Sequence, residues 1–215
     1  MPWPMVHFVV AQKLGAPEPP SPHLLIGSIA PDAIHVRGKI TREQKGITHL
    51  VHDGRLPEAN LIKENYLHYL NLKPEKAWKE YIYGYFAHIY TDLRWVQTLY
   101  ANFKEEYIED EENIRYTYNQ EVSQLEFELK RSQHGTDPIL NKLKDSEGHS
   151  IPLFVEKSEV EQYRTLKLEW LLDERNEPKV DLIYFTLDKV ETFIQATAAE
   201  LNTLFIPSGI YEHGG

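Results

Sequence analysis

YGYFAHIYTDLRW, Tyr83 to Trp95, decides how this sequence is read. Its apolar residues do not alternate; they recur three and four apart. Tyr81, Tyr85, His88, Asp92, Trp95 and Leu99 make one stripe, and Ile82, Phe86, Ile89, Leu93 and Val96 make its neighbour. Gly84, Ala87 and Thr91 make a third stripe of small residues, where another helix can approach closely. This is the period of an α-helix buried on most sides. From Tyr81 to Tyr100 the only formally charged residues are Asp92 and Arg94. His88 and Asp92 stand four apart and share one face. An aspartate buried alone protonates or destabilises its fold, whereas a metal ion keeps it ionised. The pair reads as two ligands of one metal, or as a hydrogen-bonded or ion-paired group in a helical core.

Outward from this stretch the helical period persists and period-two alternation is nearly absent. Pro74 and Glu75 suit a helix start, and the central helix is expected to run from there to about Tyr107. Upstream, Met5–Leu14 reads as a short helix stopped by APEPPSP, Lys45–His52 as a turn of helix ended by Gly54, and Leu56–Leu70 as a helix. Downstream, helices are expected over Glu111–Gln133, Lys157–Asp173 and Asp181–Phe205, with breaks at HGTDP, at SEGHSIP and at ERNEP. The expected fold is all-α, one domain over residues 1–215. Ligand-bearing motifs fill residues 1–100 and packing helices fill 101–215.

The chain has 215 residues, 41% hydrophobic and 26% charged, enough for one sizeable core. No apolar run is long enough to span a bilayer. MPWPMVHFVVAQKL lacks a basic n-region and does not read as a secretory signal, which favours the cytoplasm. A net charge of −10 argues against a general binder of nucleic-acid backbones. There are no cysteines, so any metal ligands must be His, Asp or Glu. Seven of the ten histidines lie within the first 88 residues.

Those histidines supply partners for the central pair. ITHLVHD offers His49, with His52 and Asp53 beside it; APDAIH offers Asp32 and His35; the first helix offers His7. Each alone could be a surface or core residue. Together they form an oxygen and nitrogen donor set suited to Zn²⁺, with Mn²⁺ or Fe²⁺ as alternatives. His23 and His68 read as structural or surface residues. His134 and His149 fall in expected loops. Tyr66, Tyr69, Tyr81 and Tyr85 could line a cleft or simply pack.

The order of these motifs resembles the zinc-dependent phospholipase C family, which shares its fold with the S1/P1 nucleases. An early histidine in VHFVVAQKL is followed by GSIAPD, then Thr48-His49, then GYFAHIYTDLRW, all within about the first 95 residues. The resemblance implies that Asp32, His49, His88 and Asp92 hold one zinc. It implies that His7 holds a second metal, with Asp92 bridging, for one to three ions in all. It further implies hydrolysis of a phosphoester small molecule or phospholipid head group by a metal-activated water, with Asp32 ligating or orienting that water. His35, His52 and Asp53 are candidates for auxiliary ligands or supports. The family uses a mature N-terminal tryptophan as a ligand, whereas Trp3 is not terminal as encoded. Nor does a histidine follow Asp92, where RWVQT stands.

Two other readings compete. His52-Asp53 followed by Asp92 resembles the skeleton of HD-domain phosphohydrolases, although this leaves GSIAPD unexplained. A non-catalytic binding protein stabilised by one closed metal site is the other.

Overall fold

The computed structural model describes residues 3–108, 110–132 and 136–205. The described residues are helical and contain no strand, only two isolated bridges. The helices are α1 (Pro4–Gly15), α2 (Pro22–Gly27), α3 (Arg42–Thr48), α4 (Ala59–Leu70), α5 (Lys76–Gln97), α6 (Leu99–Glu106), α7 (Ile114–Ser132), α8 (Thr136–Lys144), α9 (Lys157–Leu172) and α10 (Leu187–Phe205). A 3-10 segment, Ala30–Arg37, links α2 to α3. The all-α expectation holds.

α5 is the axis of the molecule. Every residue from Glu80 to Leu93 is buried, because neighbours cover it on several sides. It packs chiefly against α2 and α4, while α1 lies on α10 and α9 lies on the 3-10 segment. The small stripe read from the sequence has a definite use. A Cβ at Gly84 would collide with the backbone of Leu24 and Ser28, and one at Gly27 would collide with the backbone of Tyr81. Two glycines therefore let α2 and α5 touch backbone to backbone. That contact carries the Ser28 carbonyl to the ring of His88.

Local chemistry fixes the elements around this axis. Ser21 caps α2 by accepting from the Leu24 N–H, with Pro22 opening the helix. Thr41 and Gln44 form a reciprocal capping box on α3. The Tyr85 hydroxyl donates to the Thr48 carbonyl at 2.9 Å, tying the end of α3 to α5.

Several boundaries differ from expectation. The central helix stops at Gln97 rather than near Tyr107. Thr98 adopts φ −120° and ψ −88°, and its hydroxyl donates to the Arg94 carbonyl at 2.7 Å. That hydroxyl, which competes with the backbone for a helical carbonyl, accompanies the break. The residues of GSIAPDAIH join α2 to the 3-10 segment, and α3 begins at Arg42 rather than Lys45. A helix, α8, begins inside the expected HGTDP break, at Thr136, so Thr136, Asp137 and Pro138 open a helix; His134 lies outside the described residues. The last helix starts at Leu187 instead of Asp181. The reason is the Glu121 carboxylate, which accepts the N–H groups of Ile183, Tyr184 and Phe185 at 3.1, 2.8 and 3.1 Å and holds them in a loop. No described helix is long and apolar enough to cross a membrane.

Candidate metal centre

Four segments deliver side chains to one point. α1 brings His7, the 3-10 segment brings Asp32, the C-cap of α3 brings His49, and α5 brings His88 and Asp92. His7, His49, His88 and Asp92 are 2%, 3%, 1% and 2% exposed. Asp32 is the least enclosed, with a side chain 15% exposed.

The spacings fit a metal polyhedron. Two ligand atoms on a tetrahedral ion with bonds of about 2.0–2.1 Å stand roughly 3.3 Å apart. His49 Nε2 lies 3.3 Å from His88 Nε2, 3.4 Å from Asp32 Oδ1 and 3.5 Å from Asp92 Oδ2. His88 Nε2 lies 3.6 Å from Asp92 Oδ2 and 4.0 Å from Asp32 Oδ2. These four residues could hold one ion. The other Asp92 oxygen, Oδ1, stands 3.6 Å from His7 Nε2. Asp92 thus offers one oxygen to each side. The atoms of His7, His88 and Asp92 lie within 4.8 Å of one another, as do those of Asp32, His49 and His88.

The orientation of the rings is set from behind. His88 Nδ1 is 2.8 Å from the Ser28 carbonyl, an acceptor only, so Nδ1 carries the proton. His49 Nδ1 is 2.8 Å from the Thr48 hydroxyl and 3.2 Å from the Lys45 carbonyl, which likewise favours a proton on Nδ1. In their neutral form both rings turn an Nε2 lone pair inward, as ligating histidines do. His7 stacks on His88 with centroids 3.8 Å apart and planes 13° from parallel.

The buried polar atoms are not satisfied by protein. Both nitrogens of His7, Oδ1 of Asp32 and both oxygens of Asp92 lack a hydrogen-bond partner. Unsatisfied buried groups are rare in folded proteins, and a cluster of them on ligand-type side chains is what a cation would complete. The titration behaviour of four of the five residues agrees. Burial pushes His7 down to about 3, helped by the neighbouring His88, which keeps it a neutral donor. Burial also lowers His49. Burial would raise Asp92, but His88 and His7 hold it down at about 2. For Asp32 burial is again outweighed, first by the Lys45 ammonium, so it stays well below the usual carboxylate range. His88 rises despite its burial because Asp92 and Asp32 face it.

A cleft of about 810 Å³ opens onto the cluster, reaching His49 and Asp92 past Lys45, Ile47, Leu56 and Ile89. Two of the candidate ligands therefore border the cleft, each from a nearly enclosed position.

The remaining candidates divide. His35 lies beside the cluster, its partly exposed ring placing Nε2 3.6 Å from Asp32 Oδ1. His52 and Asp53 do not join: they pair with each other at 3.1 Å, with side chains 90% and 82% exposed, at the cleft's rim. Asp53 adopts φ 50° in the tight turn between His52 and Arg55. The HD-type grouping of His52, Asp53 and Asp92 is thus not assembled. His149 packs against Tyr81 and His23, apart from the five clustered residues. Of the four tyrosines, Tyr66, Tyr81 and Tyr85 are core residues.

Two neighbours of the site belong to no ligand motif in the sequence. Lys45 stands one helical turn before His49, a spacing visible in KGITH. Tyr163 on α9 is buried and interacts with Asp32; burial first, then the charges of Asp32, Glu126 and Asp92, push its phenol well above 10. Nothing near Tyr163 in sequence marks it, because its place depends on α9 packing over the 3-10 segment. No family model, no curated protein and no solved structure matches this chain.

Proposed function

We propose that the protein is a metal-dependent phosphoester hydrolase of the phospholipase C and P1 nuclease type. One observation carries the reading: a cluster of unsatisfied histidine and aspartate atoms lies against an open cleft, which His49 and Asp92 border. A metal kept only for stability is served by a closed ligand set, whereas catalysis needs a position open to substrate and water.

In this reading Asp32, His49, His88 and Asp92 hold one divalent ion, and His7 with the second Asp92 oxygen contributes to another. Zn²⁺ suits the donor set, and Mn²⁺ or Fe²⁺ are compatible. A divalent ion there supplies Lewis-acid polarisation of a phosphoryl oxygen and acidifies water near neutral pH. The protein's own groups do the rest. Ser28 and Thr48 fix two imidazoles in the ligating tautomer. Asp32, the more exposed of the two clustered carboxylates, orients the attacking water by accepting a hydrogen bond from it. Ile47, Leu56 and Ile89 wall the cleft and exclude bulk water from one side of the substrate.

Purified protein is expected to hydrolyse bis(p-nitrophenyl) phosphate slowly, to stop on chelation, and to recover with Zn²⁺ or Mn²⁺. His49→Ala should lose metal and activity in parallel. Metal-loaded protein inert toward phosphomonoesters, phosphodiesters and phospholipids would remove the hydrolase reading and leave a metal-stabilised binding protein in its place.

A further inference from the structure

The cleft wall carries a cation that the ligand set does not need. Arg42, Lys45 and His49 fall at i, i+3 and i+7 on α3, and all three line the cleft. Arg42 is exposed at the rim. Lys45 is further in, with a side chain 28% exposed. Its Nζ lies 3.2 Å from Asp32 Oδ1 and 3.2 Å from His35 Nε2. The imidazole accepts one ammonium proton. The contact with Asp32 is an ion pair, and Oδ1 receives no aligned hydrogen bond. An ammonium has three N–H donors, so donors remain for something else in the cleft.

The two carboxylates are charge-balanced by one divalent ion, and a second ion would leave the cluster positive. Lys45 then adds a positive charge at the mouth of the cluster, beside the carboxylate closest to solvent. A lysine that served only to neutralise Asp32 would become redundant, even repulsive, once a cation was bound. Its position suits an anion placed between it and the metal site.

We infer that Lys45 is the anion-binding residue of the cleft, its ammonium donating to a non-bridging phosphoryl oxygen of the bound phosphate group. This rests on the phosphoester reading above, and it assigns recognition of the phosphate to the protein as well as to the metal. Arg42, at the rim, serves approach rather than binding.

The test uses inorganic phosphate on full-length protein loaded with zinc and freed of excess ion. Metal content is measured by elemental analysis, phosphate affinity by calorimetry, and hydrolysis with a chromogenic diester. Lys45→Met should keep its zinc and bind phosphate about tenfold or more weakly, the loss of one charge-assisted hydrogen bond. Lys45→Arg should restore most of the affinity. Lys45→Gln, which can still donate to His35, should behave as Lys45→Met and carries the test if the methionine variant does not load. Wild-type affinity in zinc-loaded Lys45→Met, with active wild-type protein, overturns this inference alone. Loss of zinc in both neutral variants would make Lys45 a support for Asp32 and also overturn it. Wild-type protein that holds zinc but neither binds phosphate nor hydrolyses any ester overturns the underlying reading too.

Discussion

α5 and α7 both bury carboxylates, and they treat them in opposite ways. On α7, Glu121 is 3% exposed and its Oε2 accepts three consecutive backbone N–H groups. Gln124, one turn on, accepts from the N–H groups of Lys179 and Val180. On α5, Asp92 is equally buried, yet neither oxygen has a hydrogen-bond partner. The same chemical group is a completed structural joint in one helix and an open valence in the other. Burial alone does not distinguish a structural carboxylate from a ligand; the accounting of donors around it does.

The contrast is sharpest when stability is measured with and without metal. Asp92→Ala should abolish metal-induced stabilisation, worth about 4 kcal/mol where free metal exceeds its dissociation constant a thousandfold. In chelator the same substitution should cost less, because no hydrogen bond is lost and only the charge attraction to His88 and His7 goes. His88→Ala should share the loss of metal. Thermal melts with and without EDTA, alongside metal analysis, make the measurement. Full occupancy and an unshifted melting temperature in both variants would end the metal assignment.

Glu121→Ala is expected to do the reverse. Three N–H groups lose their acceptor, and the loop before α10 loses its anchor. A destabilisation of about 3 kcal/mol should appear equally in chelator and in metal. If added metal rescued this variant selectively, the two helices would not differ in kind.

Glu126 lies between the extremes. It is fully buried on α7 and both its oxygens are near a single donor, the Met5 N–H, at 3.1 and 3.2 Å. Burial pushes it up to about 8, against the opposing pull of Met5 and Lys167. Its folded value thus exceeds its unfolded one. The associated stability is present in full below about pH 4.5 and declines as pH rises toward 8. Between pH 5 and 7 the decline should be about 2 kcal/mol. Glu126→Gln should flatten that slope in chelator-treated protein, read by urea unfolding across the range. An unchanged slope would show that Glu126 ionises freely.

Much of the α5 side was legible because it rests on local spacing. His88 and Asp92 are four apart, and Gly84 lies on the stripe that α2 meets. The convergence of His7, Asp32 and His49 was legible only through the order of motifs, since their meeting depends on how α1 and α3 dock. The all-α class followed from a period that runs through nearly the whole chain. What stayed hidden depends on contacts distant in sequence. The break at Thr98 has no glycine or proline to mark it; Leu99 and Phe103 bury themselves against other segments and restart the helix in a new direction. The late start of α10 is set by Glu121, more than sixty residues away. Tyr163 reaches Asp32 only because α9 folds back over the 3-10 segment.

The smallest expected effect tests whether the rim of the cleft belongs to the cluster. Asp53 pairs with His52 in the open, and an exposed pair contributes about 0–1 kcal/mol at most. Asp53→Ala should therefore leave metal content unchanged and stability within about 0.5 kcal/mol of the parent. Asp32→Ala, by contrast, should lower metal content, since its carboxylate lies 3.4 Å from His49 Nε2 and within 4.0 Å of His88 Nε2. Elemental analysis of the two variants side by side separates the possibilities. Retention in Asp53→Ala with depletion in Asp32→Ala agrees with the cluster as the fold assembles it. Depletion in Asp53→Ala with Asp32→Ala intact would mean that the turn at Asp53 closes inward when metal binds, bringing His52 and Asp53 to Asp92 in the HD-type arrangement.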